Sequence, residues 1–183
     1  MKLTLKTCEV RTWRKSDLEG IVQNANNRRV WLNLRDQFPH PYTRRDGLTF
    51  LRHMREREPE TVFAIALDGA AIGAIGFVLQ KDVDCVSAEV GYWLGEPFWG
   101  RGIATEALVA ITRQAIEKHG LTRLFAVPFA SNVASCRVLE KAGYVLEGRL
   151  RRSAIKDGKI VDQLQYAFIA PESVEPRPRG TPG

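Results

Sequence analysis

Cysteine is scarce in this chain of 183 residues, and the three present, Cys8, Cys85 and Cys136, form no CxxC pair. An odd, scattered set supplies neither a disulfide framework nor a thiolate metal cage, and it suits small buried side chains in a reducing compartment. Histidine is equally sparse. His40, His53 and His119 share no metal-ligand spacing, so no metal is expected. No apolar run is long enough to span a bilayer, and the opening residues MKLTLKTCEVRTW lack the apolar centre of a secretion signal. No membrane partner is expected, and the location is expected to be cytoplasmic. No Gly-Lys-Ser/Thr follows a glycine loop at P-loop spacing. A dinucleotide fingerprint fails as well: Thr105 stands where its third glycine belongs, and residues 118–128 hold no acid to bind a ribose.

What is present describes a globular protein with 44% hydrophobic and 26% charged residues. The length suits one domain, read over 1–170, followed by a proline-rich tail over 171–183 with no periodicity. The net charge of +6 gathers loosely at Arg44/Arg45, Arg52 to Arg57 and Arg149 to Lys159. A solvated basic surface, an anionic phosphate ligand and nucleic acid all fit that excess. No basic run is interleaved with aromatics as in an RNA-binding sheet, so nucleic acid is not the expected partner.

Hydrophobic period places the elements. Residues 3–12 alternate loosely as one strand, and Ser16-Asp17 opens a helix carrying Leu18, Ile21 and Val22. Residues 25–45 are irregular, with Trp31, Phe38 and Tyr42 as core packing or as a substrate wall. Thr43 to Glu58 reads as a basic amphipathic helix stopped by Pro59. Two apolar runs joined by Asp68-Gly69 form a tight hairpin. Val83 to Leu94 is a strand with Val86, Ala88, Val90 and Tyr92 on one face and Glu89, Gly91 and Trp93 on the other. From Ala104 the period becomes helical through Ala107, Leu108, Ile111 and Ala115, ending at Gly120. A short strand LTRLFAV, a helix Asn132 to Ala142, a strand Tyr144 to Arg152 and a last strand after Asp157-Gly158 complete a mixed α/β domain.

Between the strand ending at Leu94 and the helix lies EPFWGRGIATEALV, residues 96–109. The first N–H groups of a helix lack internal partners and the dipole adds positive potential there. Glycine lets an anion approach the bare backbone, and Arg101 can add a charge-assisted contact. The stretch is either a phosphate cradle or an ordinary helix entry.

AEVGYWLGEPFWGRGIATEAL, followed by NVASCRVLEKAGYVLEGRLR, resembles the GNAT superfamily of N-acetyltransferases. The closest likeness is to the branch of the ribosomal-protein N-terminal acetyltransferases RimJ and RimL, over about Leu3 to Ala170. The resemblance implies the acyl-CoA N-acyltransferase fold: a central, mostly antiparallel sheet with a splayed parallel pair, flanked by helices. It implies acetyl-CoA as co-substrate, with its pyrophosphate on the amides of Gly100, Arg101, Gly102, Ile103, Ala104 and Thr105. The family's Gln or Arg before Gly102-Ile103-Ala104 is replaced by Trp99, which shifts weight onto Arg101 and the amides.

The same resemblance places thioester-oxygen donors on the main chain around Tyr92, Trp93 and Leu94. It places Asn132 on the pantetheine arm, and Ser135 on the coenzyme or its leaving thiolate. The tyrosine that many members carry four residues beyond Ser135 is here Leu139. Glu89 is the expected base, and partial burial would strengthen it. The alternative is a salt bridge from Glu89 to one of the many arginines. The glutamate that the ribosomal branch carries near residue 154 is here Ala154. Trp31, Phe38, Tyr42 and Tyr92 are candidates for an acceptor pocket. The implied activity is acetyl transfer to a primary amine, either a protein N-terminal α-amino group or a small-molecule amine. Dimers are common in the branch, so a homodimer is consistent with the resemblance. The rival reading is a non-catalytic acyl-CoA sensor or a nucleic-acid-binding module on the same fold.

Overall fold

The computed structural model describes residues 1–172, so most of the proline-rich tail, from 173 on, lies outside the described residues. Among the described residues eight strands form one sheet: β1 (Lys2–Thr4), β2 (Glu9–Arg11), β3 (Val62–Leu67), β4 (Ala70–Leu79), β5 (Ser87–Leu94), β6 (Arg123–Ala126), β7 (Val145–Lys156) and β8 (Lys159–Ile169). Their spatial order is β1-β2-β3-β4-β5-β6-β8-β7. Every neighbouring pair is antiparallel except β5–β6, which is parallel. A parallel pair needs a crossover, and α4 (Ile103–His119) supplies it. The other helices are α1 (Leu18–Ala25), α2 (Arg28–Trp31), α3 (Arg44–Glu56) and α5 (Val133–Lys141).

Local chemistry explains most boundaries. Asp68-Gly69 and Asp157-Gly158 both take positive φ at both residues, as a two-residue hairpin requires. Thr43 and Asp46 exchange backbone and side-chain bonds as a capping box at the start of α3. Gly120 closes α4 in the left-handed region at φ 62°.

Four elements differ from the sequence reading. The strand read from Val83 begins only at Ser87, because a single 3-10 turn occupies Asp82–Asp84. Residues 3–12 are not one strand but a short hairpin, with Lys2 opposite Arg11. The Glu106 carboxylate accepts from Lys6 N (2.6 Å) and Thr7 N (2.9 Å), fastening that turn to α4. The irregular segment contains α2, whose cap Asn27 accepts from Arg29 N at 2.8 Å. The strand expected to end at Arg152 runs on to Lys156. It passes an irregularity between Leu150 and Ala154 where Arg152 takes φ 53° and donates its N–H to Asp162 Oδ1 at 2.8 Å.

Alternation along the strands divides the core between the two faces of the sheet. Phe63, Ile65, Ile72, Ile75 and Val90 pack with α4 and α5. Ala64, Ala71, Ala74 and Trp93 pack with α1 and α3. At the edge of the second cluster Arg11 and Asp17 are 1% and 2% exposed. They form a bidentate pair at 2.8 and 2.9 Å. Arg11 also donates to Gly69 O at 3.0 Å, tying β2, the β3–β4 turn and the entry to α1 together.

Candidate active site

The parallel pairing of β5 with β6 stops early. Its last pair is Glu89 with Phe125, although β5 runs on to Leu94. Beyond Ala126 the chain follows β8 instead: Leu164 N donates to Pro128 O and Ala130 N donates to Asp162 O, both at 2.9 Å. Pro128 has no N–H with which to pair toward β5. The two strands therefore splay, and the gap between them opens a cleft of about 1250 Å³. Its walls come from both faces of the sheet: Phe38, Tyr42 and α3 on one side, the 98–105 loop and α5 on the other.

Gly95 N donates to Ile72 O, and Gln80 N donates to Ser87 O, so odd-numbered residues of β5 bond to β4. Alternation then turns the amides of Tyr92 and Leu94 toward the gap. Trp93 departs from the sequence reading: its amide faces its β4 partner Ala74 and offers nothing to a thioester. Its ring packs on the α3 side, edge-on to Phe38 at 5.6 Å.

At one mouth of the cleft lies the loop before α4. None of the amides of residues 100–105 donates to a protein acceptor among the described residues, and no side chain caps the helix. Gly100 and Gly102 take φ 73° and 79°, and a Cβ on either would meet nothing within 4 Å. The constraint there is backbone conformation, not crowding. A non-glycine residue in that region costs about 1–2 kcal/mol. Gly102→Ala is therefore expected to weaken acetyl-CoA binding about tenfold in calorimetry while the protein still melts cooperatively. An unchanged affinity would remove the loop from the binding site. Arg101 rests its guanidinium over Phe98 at 5.8 Å. Trp99 lines the cleft, but its indole N–H is committed to Leu94 O at 2.7 Å, so it braces the loop and leaves charge contacts to Arg101.

On the same face, Asn132 caps α5 by accepting from Ser135 N at 3.1 Å, which leaves its Nδ2 for a ligand. The Tyr92 hydroxyl lies 2.8 Å from Ser135 Oγ and 3.2 Å from Ser135 O. Burial pushes the Tyr92 phenol well above its ordinary range, and the contact with Ser135 only partly offsets this. It is a protonated anchor that fixes the Ser135 hydroxyl. This pairing also withdraws Tyr92 from the acceptor wall, because its ring points to the α5 side. Tyr144 is core, 2.6 Å from Thr112 Oγ1. Burial raises the Cys136 thiol too, consistent with an inert packed sulfur.

On the opposite face, Glu89 is half-buried and forms a salt bridge with Arg35. The salt bridge to an arginine, one of the two readings open for Glu89, is thus present, and the partial burial expected of it is present as well. Arg35 comes from the irregular segment, where no local sequence signal marks it as a site residue. It also borders a smaller hollow of about 290 Å³ that Ala154 lines. Gly91, between Glu89 and Trp93, is exposed and leaves bare backbone in the cleft. Phe38 and Tyr42 line this side. Trp31 does not: α2 turns its ring onto Lys156, whose Nζ is 3.5 Å from the ring centroid, and His40 stacks on it at 5.7 Å. It docks α2 against β7.

Among the described residues no cluster of three metal-ligating side chains gathers, and no helix is long and apolar enough to cross a membrane.

The chain is similar to the uncharacterized N-acetyltransferase YoaA of Bacillus subtilis, 35% identical over 102 residues, 55% of this chain and 56% of that protein. The match thus spans little more than half of that relative. The ribosomal-protein-serine acetyltransferase of Escherichia coli is 29% identical over 63% of this chain and 64% of its own length. Among solved structures, Mycobacterium smegmatis RimJ in complex with a CoA disulfide superposes with a TM-score of 0.79 at 24% identity, over 92% of this chain and 85% of that one. The model of the acetyltransferase (GNAT) domain matches residues 8–145. With a sheet splayed at its parallel pair and, among the described residues, unpartnered amides before the crossover helix, this chain belongs to the GNAT acetyltransferase family.

Proposed function

We propose that the protein transfers the acetyl group of acetyl-CoA directly to a primary amine. The observation that carries this reading is the cleft through the sheet, with unpartnered amides at one mouth and a carboxylate at the other. The amides of residues 100–105 and Arg101 hold the pyrophosphate, as a helix N-terminus suits an anion. Asn132 Nδ2 meets the pantetheine arm. The Tyr92 and Leu94 amides face the charge that develops on the thioester oxygen. Glu89 accepts the proton released by the acceptor ammonium, which displaces Arg35 from the carboxylate. As the amine nitrogen bonds to the acyl carbon and the carbon–sulfur bond breaks, the second proton lost by that nitrogen passes to the leaving sulfur through the Ser135 hydroxyl, which takes one proton as it gives the other and is held in place by Tyr92. Between a protein N-terminal α-amino group and a small-molecule amine, the protein acceptor is favoured, because the E. coli relative is named for a ribosomal protein.

The Arg35–Glu89 salt bridge is the one feature that favours a non-catalytic coenzyme sensor. Calorimetry with acetyl-CoA, followed by thiol release in the presence of amines, separates the two readings. Binding in the micromolar range with amine-dependent thiol release is expected. Tight binding without release to any amine would leave the sensor, and no binding would sink both.

A further inference from the structure

The helix α3 carries a charge pattern that the acetyl donor leaves unused. Arg45, Thr49 and His53 recur every fourth residue, which sets them along one side of the helix; Arg57 follows as its extended C-cap residue, and all four line the cleft. Phe50 and Met54 line it beside them, so the cations stand over an apolar floor. Among the described residues neither Arg45 nor Arg57 makes a salt bridge. Among the described residues two carboxylates border the cleft, and both are engaged. Asp46 accepts from Thr43 N at 2.7 Å and from Thr43 Oγ1 at 2.5 Å. Glu89 is held by Arg35.

Position decides what this surplus charge is for. α3 packs with α1 and Trp93 on one face of the sheet, whereas α4 and α5 pack on the other. The groups suited to the donor's phosphates, namely the amides of 100–105 with Arg101, Arg137 and Lys141, belong to the second face. The cations of α3 lie across the sheet from them, on the side of Glu89 and Gly91 where an acceptor must enter.

We propose that the acceptor is a primary amine carrying an anionic group, carboxylate or phosphate, that rests against Arg45 and Arg57 while its nitrogen reaches Glu89. This rests on the acetyl-transfer reading above and narrows it. The anion pairs with guanidinium groups that form no salt bridge among the described residues, and the apolar part of the acceptor covers Phe50 and Met54. An acceptor with a cation in that place meets unscreened like charge.

The test compares acceptors that differ only in charge. One arm uses peptides Ser-Ala-Asp-Glu and Ser-Ala-Lys-Arg followed by an identical neutral sequence, and the other uses ethanolamine and phosphoethanolamine. The wild-type protein is expected to favour the anionic member at least tenfold in kcat/KM, with the preference shrinking as salt rises. The arm with the larger ratio identifies the source of the anion, acidic peptide or small phosphorylated amine. The double variant Arg45→Glu/Arg57→Glu, shown to be folded by retained acetyl-CoA binding, is expected to reverse the preference, which a merely structural role would not do. Turnover without charge preference, or a preference the double variant leaves intact, overturns this inference while acetyl transfer stands. Absence of turnover with every amine overturns acetyl transfer itself, and this inference with it.

Discussion

Arg11→Met is expected to lower the unfolding free energy by about 3–5 kcal/mol, the cost of leaving a buried charge without its partner. Asp17 would then sit 2% exposed with only the Arg14 N–H at 2.7 Å to satisfy it. The loss is not confined to the ion pair. Arg11 donates to Gly69 O at 3.0 Å and Thr12 O at 3.2 Å, so three chain segments lose a common anchor. Its Nε has no hydrogen-bond partner among the described residues, so the site already bears one unsatisfied buried donor. Replacing both partners by Arg11→Met/Asp17→Leu removes the charge imbalance and is expected to recover most of the loss. Urea denaturation of the two single variants and the double variant gives the coupling between them. A cost below about 1 kcal/mol for Arg11→Met would show that water reaches the pair.

Glu89→Gln is expected to reduce kcat/KM for the amine about 100-fold at neutral pH, within the range for loss of a general base, with acetyl-CoA affinity unchanged. The pH profile gives the diagnostic sign. An α-amino group has an ordinary pKa of about 8, so at pH 7 most acceptor is protonated and cannot attack. In the variant only amine that is already neutral reacts, so its rate rises about tenfold per pH unit up to that pKa. The deficit relative to the wild-type protein shrinks accordingly between pH 7 and 9. A deficit that stays constant with pH would mean that Glu89 positions Arg35 or the acceptor without taking a proton. Because Arg35 holds the carboxylate, Arg35→Gln is the informative companion: it frees Glu89 and should not reproduce the deficit.

Much of the fold is legible where one short stretch decides its own conformation. Asp68-Gly69 and Asp157-Gly158 dictate hairpins because their residues tolerate positive φ. The α4 stripe of Ala107, Leu108, Ile111 and Ala115 is buried as its period requires. Asn132 caps α5 by the same local logic. Legibility fails where distant partners decide. Nothing in residues 3–12 marks the turn that Glu106 holds from about a hundred positions away. Four residues of α2 are too few to be stable alone and depend on docking through Trp31 onto Lys156. The bend at Arg152 answers to Asp162 on the neighbouring strand.

The site divides in the same way. By itself the sequence determined the glycines that place Gly100 and Gly102 at positive φ, the helix that follows them, the faces of β5 and the family to which the motifs belong. It also held the every-fourth-residue spacing of Arg45, Thr49 and His53 on α3, with Arg57 just past its end. Only the tertiary structure decided that the chain after Ala126 would follow β8 and open the cleft. It alone turned the Trp93 amide away and the Tyr92 hydroxyl onto Ser135. It alone brought Arg35 to Glu89 across 54 positions and set the cations of α3 on the face opposite the phosphate loop. The reason is physical. A backbone conformation is chosen by a residue and its neighbours, whereas the partner of a charge or a hydrogen bond is chosen by whatever packing brings within a few ångströms.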